Sequence, residues 1–178
     1  MPIKTRLRLA AAAATIAAAL CAPQPALAAG CANANANPND INLTKAKRAT
    51  LCLLNRQRHA HGIRKLRENR RLDRASQRHA NDMSFNNYFA HGDFVGRIQS
   101  AHYLRGARGY TVGENIAWGS WDYATPAKIV HGWMHSPGHR ANILNGRFHE
   151  IGLGIARGAP VGGQAHAGTY VTDFGTRF

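Results

Sequence analysis

Past residue 42 the apolar positions fall into two periods. Thr44 caps a predicted helix running to about His61, in which Ala46, Ala49, Leu53 and Ala60, with Leu54 beside them, form an apolar stripe. Gly62 stops it. The clearest helical pattern follows Asn69, a suitable cap. Leu72, Ala75, Ser76, His79, Ala80 and Met83 fall at i, i+3, i+4, i+7, i+8 and i+11, one core-facing stripe. Residues 86–92 read as a turn ending in an exposed His91, and Phe94 to Tyr103 as a short helix carrying Arg97 and Ile98. Tyr110 to Trp118 reads as partly extended. Thr125-Pro126 starts another helix, because proline suits the first helical position. Ile129, Val130, Trp133 and Met134 are its buried face, and Pro137-Gly138 ends it. The period then changes to two. Ile151, Leu153 and Ile155 alternate with Gly152, Gly154 and Ala156; Tyr170, Thr172 and Phe174 alternate with Val171 and Asp173. Both runs read as strands, joined by a long glycine-rich hairpin loop over 158–168. Helices first and strands late predict an α+β domain with an antiparallel sheet.

The first thirty residues read differently. Lys4, Arg6 and Arg8 precede an apolar, alanine-rich run from Leu9 to Leu20. Pro23 and Pro25 break it, and Ala26-Leu27-Ala28 is a small-x-small cleavage site. This is the pattern of an export signal over 1–28, too short for a comfortable membrane span. No second hydrophobic segment follows, so no transmembrane segment is expected. Cys21 leaves with the signal, while Cys31 and Cys52 remain. In an oxidising compartment two cysteines predict one disulfide. Closing a loop of about 22 residues restricts the unfolded chain by about 3 kcal/mol in the entropy model. It also pins the polar lead-in, residues 29–45, to the first helix. Small residues before Cys31 also hint at a lipidation site, although Ala28 stands where an aliphatic residue is usual. Lipidation and the disulfide exclude each other.

Charge adds a partner class. The formal net charge is +14. Twelve Lys and Arg lie between Lys45 and Arg78, against Glu68 and Asp73 alone. Such a stretch attracts anions: acidic lipid head groups, cell-envelope polymers or a host surface. It equally suits a solvated helical face. No nucleic-acid motif accompanies it, so no specific nucleic-acid partner is expected.

Ten histidines invite a search for metal ligands. His131 and His135 share a helical face at i and i+4. The glutamate of the His-Glu-x-x-His pattern is absent, since Gly132 follows His131. Exposed helix histidines account for the pair as well.

A more specific constellation is His91, Glu114 in Gly113-Glu114-Asn115, and His139. It lies within seven ordered motifs: Asn55-Arg56-Gln57-Arg58; Met83 with Phe89-Ala90-His91; Gly109-Tyr110; Gly113-Glu114-Asn115-Ile116-Ala117; Trp133 to Leu144; Phe148 to Gly154; and Val171-Thr172-Asp173-Phe174-Gly175. Together they closely resemble bacterial members of the CAP superfamily, which includes cysteine-rich secretory proteins, insect antigen 5 and plant pathogenesis-related proteins. The resemblance spans residues 46–178. It implies a three-layer α-β-α sandwich with a central antiparallel sheet. It also implies a cleft with two histidines and two acids. By motif position His91 is the first histidine, Glu114 the first acid and His139 the second histidine. Ser136 stands where the eukaryotic pattern has its second acid. The eukaryotic disulfide pattern is missing, as is usual in the bacterial branch.

Two imidazoles and a carboxylate can hold Zn²⁺ or another divalent ion, act as an acid/base set, or brace one another in a structural network. Ser136 adds a nucleophile option with His139 and Glu114, although Ser136-Pro137 also suits a helix end. The leading expectation is a secreted, monomeric, non-enzymatic binding module, extracellular or in the cell envelope. It would take a metal ion, a lipid or an envelope component, with His91, Glu114, Ser136 and His139 as cleft residues. The alternatives are a secreted hydrolase, either a metal-dependent or serine-type peptidase or an envelope-polymer hydrolase, and a structural envelope protein.

Overall fold

The structure is a computed structural model and describes residues 30–178. The expected signal segment and its cleavage site lie outside the described residues.

Helix α1 spans Leu43–Ala60. Its cap is Asn42, not Thr44: the Asn42 side chain accepts the Thr44 N–H at 2.8 Å, and Thr44 is already helical. Gly62, with φ +70°, turns the chain out of the helix. Helix α2, Arg70–Asn86, is capped by Asn69 and buries the six residues of its predicted stripe. Helix α3 is Phe94–Ser100, capped by Asp93. Strand β2, Tyr110–Ser120, follows the two-residue strand β1, Arg67–Glu68. A 3₁₀ turn, Trp121–Ala124, leads to α4, Pro126–Met134, with Thr125 as cap and proline in the first turn. Pro137 does not simply end a helix. It opens a second short one, α5, Pro137–Ile143, because its fixed φ suits a first turn as well as it blocks a middle one. Strands β3, Glu150–Arg157, and β4, Ala167–Arg177, close the chain.

The strand order is β1-β3-β4-β2. The three long strands pair antiparallel, and β1 adds a short parallel edge to β3. The hydrophobic alternation assigns the two faces. Ile151, Leu153, Ile155, Tyr170 and Phe174 pack with Leu53 and Leu54 of α1, Val130 and Trp133 of α4, and Ile143 of α5. The opposite face carries Gly152 and Gly154, and α2 lies directly on them. A Cβ on Gly154 would stand 2.1 Å from the Ser76 carbonyl oxygen, and one on Gly152 2.0 Å from the Leu72 carbonyl carbon. Those strand positions are glycine because the helix backbone occupies the space. The result is the three-layer sandwich.

Two long-range ties complete it. Cys31 and Cys52 form the expected disulfide, which fastens the lead-in to α1. Arg58, one cation of the basic stretch, is buried rather than solvated. Its guanidinium donates to the carbonyls of Arg64, Ile143, Asn145 and Phe148 at 2.7–3.0 Å. Asn55 brackets the Leu66 backbone, donating to its carbonyl and accepting its N–H. The Asn55–Arg58 motif thus ties α1 to two loops.

Candidate functional site

Strand β2 lies at the edge of the sheet, so residues from both covering layers reach around it. Gly113 is small because Phe148 and Asn142 press on it; a Cβ there would lie 2.9 Å from the Phe148 ring. The next residue, Glu114, turns its side chain to the α2 side, opposite Asp173 on β4. That side chain is 1% exposed. Each of its oxygens has a charged or chargeable donor. His91, from the loop between α2 and α3, donates Nδ1–H to Oε1 at 2.8 Å, and Arg97 of α3 donates to Oε2 at 2.7 Å. His91 itself stays half exposed, at 50%. A buried carboxylate therefore orients a surface imidazole.

The other covering layer supplies His139. Asn115, the residue after Glu114, donates to the His139 carbonyl at 3.1 Å. Asn142 donates to the Glu114 carbonyl at 3.1 Å and to the Asn115 side chain at 2.9 Å. These bonds fix α5 against β2. Burial lowers the His139 pKa, and the nearby His91 charge lowers it further. Both effects favour the neutral ring.

Behind the surface pair lies a buried polar layer. Ser76 donates to Asp173 Oδ2 at 2.7 Å and accepts the Asp173 N–H. Burial, and then the Glu114 charge, push the Asp173 carboxyl well above its ordinary range, which favours the neutral acid. His79 of α2 donates Nε2–H to the Ala90 carbonyl at 2.9 Å, holding the stretch of chain that leads to His91. Burial and the Arg97 charge lower its pKa. His79 Nδ1, Arg97 Nε and Asp173 Oδ1 are buried without a hydrogen-bond partner among the described residues.

The cysteine-rich secretory protein family model (CAP) matches residues 51–172. The chain belongs to this family. Uncharacterized protein YkwD of Bacillus subtilis (strain 168) is 34% identical over 117 residues, which cover 65% of this chain and 44% of that protein. Among solved structures, an extracellular protein containing a SCP domain from Bacillus anthracis str. Ames superposes with a TM-score of 0.57 at 27% identity, over 75% of this chain and 43% of that one. An outer surface protein from Borrelia burgdorferi gives a TM-score of 0.63 at 17% identity, over 78% of this chain and 97% of that one. The latter likeness is one of fold alone. The chain spans less than half the length of YkwD and of the B. anthracis protein.

Within this CAP domain the sequence-predicted residues fare differently. His91 and Glu114 touch, and His139 is their neighbour. Ser136 stands at the α4–α5 joint as the cap residue of α5, and its hydroxyl makes no cap bond. No hydrogen bond among the described residues ties it to His91, Glu114 or His139. His131 and His135 sit with ring centroids 4.0 Å apart on the exposed end of α4. Among the described residues no group of three or more His, Cys, Asp or Glu is arranged to hold a metal ion. Within the set His91, Glu114 and His139, each Glu114 oxygen accepts a bond, from His91 and from Arg97, so the carboxylate holds His91 in place. Sequence reasoning left Arg97, His79, Ser76 and Asp173 out of the site. One signal was present for Asp173: a lone acid beside Val171, on the face of the strand opposite Tyr170 and Phe174.

Proposed function

We propose that the protein is an exported, non-catalytic binding module, and that the half-exposed His91, with His139 beside it, contacts an anionic head group of lipid or cell-envelope material. One observation carries this reading. Glu114 is buried and committed to His91 and Arg97, so it positions an imidazole instead of offering a carboxylate to solvent. The net positive charge favours an anionic surface. Export is supported by the signal-like N-terminus and by the Cys31–Cys52 disulfide. Among the described residues no helix is long and apolar enough to cross a membrane. The hydrolase alternatives need a third metal donor or an activated serine. The commitment of Glu114 and the place of Ser136 favour neither.

The test is co-sedimentation with phosphatidylglycerol vesicles, comparing the protein with its His91→Ala/His139→Ala variant. Severalfold weaker retention of the variant, at an unchanged melting temperature, is expected. Equal retention would overturn the reading. Lost stability without lost retention would point to a structural envelope protein. Calorimetric Zn²⁺ titration of both proteins is the second arm. Saturable binding at one equivalent, lost in the variant, would replace the anion reading with a metal site.

A further inference from the structure

Trp121 and His166 continue the β2–β4 ladder past its last pair, Ser120 opposite Ala167. The Trp121 N–H donates to the His166 carbonyl at 3.0 Å. Both residues hold left-handed backbone, with φ +53° and +46°. For a bulky aromatic that conformation is an outlier that the surroundings must impose. Their rings stack, with centroids 4.5 Å apart and planes 26° from parallel.

The backbone beneath the rings is fastened from several sides. Asn37 Nδ2 donates to the carbonyls of Trp121 and His166 at 2.8 and 3.0 Å. Asn39 Nδ2 donates to the Ala167 carbonyl at 2.9 Å. The segment carrying these asparagines is itself held by the disulfide and by the Ala127 N–H on the Ala34 carbonyl. At the far end of the turn, the Tyr170 hydroxyl donates to the Ala124 carbonyl at 2.7 Å. Gly119 makes room for the fold-back, since a Cβ there would lie 2.3 Å from the Tyr123 carbonyl oxygen. Yet the rings face water: Trp121 is 60% exposed and Tyr123 71%. Core packing does not account for strained backbone fixed so firmly under exposed aromatics.

The geometry points to a carbohydrate platform, in which Trp121, stacked on His166, and Tyr123 take the faces of pyranose rings in a polysaccharide. The flat C–H face of a pyranose packs on an aromatic ring as apolar surface. Its hydroxyls then need donors and acceptors at the rim. The Tyr123 hydroxyl, the His166 imidazole and the Asp122 carboxylate supply both. A platform fixed in advance loses little freedom on binding. Charge selects among polysaccharides, because past residue 28 the chain carries 20 Lys and Arg against 9 Asp and Glu and complements a polymer bearing acidic sugars. Exposed Lys128, one turn into α4, and Arg157, whose guanidinium donates to the Pro38 and Ile41 carbonyls, lie on the flanking elements. Trp121 lies seven residues beyond Glu114, roughly 20 Å along extended chain. The platform therefore does not rest on the histidine reading.

Calorimetric titration of the disulfide-intact protein tests it, with tetra-N-acetylchitotetraose as the neutral probe and a hyaluronan octasaccharide as the acidic one. Trp121→Ala and Tyr123→Ala are each expected to weaken binding about tenfold, as loss of a central aromatic anchor does. Trp121→Phe, which keeps a stacking ring, should retain most of it. Phe85→Ala, at an 85% exposed aromatic elsewhere, should change nothing. Binding of either probe with this pattern of loss supports the platform, and binding of the acidic probe alone adds the charge selection. Failure of both probes to bind overturns the proposal, as does binding that survives both Trp121→Ala and Tyr123→Ala.

Discussion

On the face covered by α1, α4 and α5, the strands present Ile151, Leu153, Ile155, Tyr170 and Phe174. On the face covered by α2, they present Gly152, Gly154, Ala156, Val171 and Asp173. The first face is held by volume. Large side chains from α1, α4, α5, β3 and β4 interdigitate, and Phe148 stacks on Phe174 at 5.4 Å. The second is held by approach. Missing side chains let a helix backbone rest on a strand, and Ser76 and Asp173 satisfy polar atoms across the gap. Volume packing tolerates some rearrangement, since its contacts are non-directional. Close approach with hydrogen bonds does not. The candidate site grows from the second face, where Glu114, Arg97 and His79 are held by hydrogen bonds of 2.7–2.9 Å.

The comparison can be broken most directly on the apolar face. Phe174→Ala should cost about 4 kcal/mol, through lost burial and a residual cavity. Urea unfolding should show a lower midpoint with an unchanged slope. The next largest effect is expected where the apolar face hides a charge. Arg58→Met keeps the volume but strands the carbonyls of Ile143, Asn145 and Phe148, and should cost about 3 kcal/mol by the same measurement. A near-neutral result would mean that those carbonyls find other partners.

Gly154→Ala tests the approach of α2. The added methyl meets backbone rather than a flexible side chain, so the helix must shift, at a cost of about 2 kcal/mol. Gly132→Ala on α4 is its control. Nothing lies within 4 Å of that Cβ, and removing a helical glycine should stabilise by about 0.5 kcal/mol. If both glycines respond alike, close approach is not what selects Gly154.

Asp73 sharpens the electrostatic side of the contrast. It lies on α2 and accepts the Leu153 N–H at 2.8 Å. Burial is the main reason its carboxyl is raised to about 6, from an unfolded value of about 3.9. Between those values the folded state binds the extra proton, so this residue's contribution to stability falls as pH rises from about 4 to about 6 and is level above. Asp73→Asn keeps an oxygen for Leu153 and removes the titration. Relative to the variant, the natural protein should lose stability across that window, read by urea unfolding at successive pH values. Parallel curves would place the proton elsewhere.

Much of the scaffold was legible in the chain because it is local. The α2 stripe, the Asn69 cap, the Thr125-Pro126 start and the two alternating strands depend on residues a few places apart, where helical and strand periods act directly. The cap of α1 was misplaced by two residues, since Asn42 and Thr44 carry equivalent signals. The disulfide was legible because only two cysteines remain beyond the signal-like segment. The motifs carrying the family resemblance also marked His91, Glu114 and His139, two of which touch. The same motifs suggested a donor set that includes Glu114, and they gave no sign of its bond to Arg97.

What only the tertiary structure decided is which partners those residues have. Glu114 meets His91, Arg97 and the strand position of Asp173 across 23, 17 and 59 places of chain, distances over which no sequence period operates. Whether Arg58 is a solvated cation or a buried clamp depends on where the carbonyls of Arg64, Ile143, Asn145 and Phe148 come to rest. Local propensity selects helices, strands and caps. The register of β2 against β4, and the glycines that let α2 descend onto β3, determine which carboxylate is buried, which imidazole it holds and which rings remain in water.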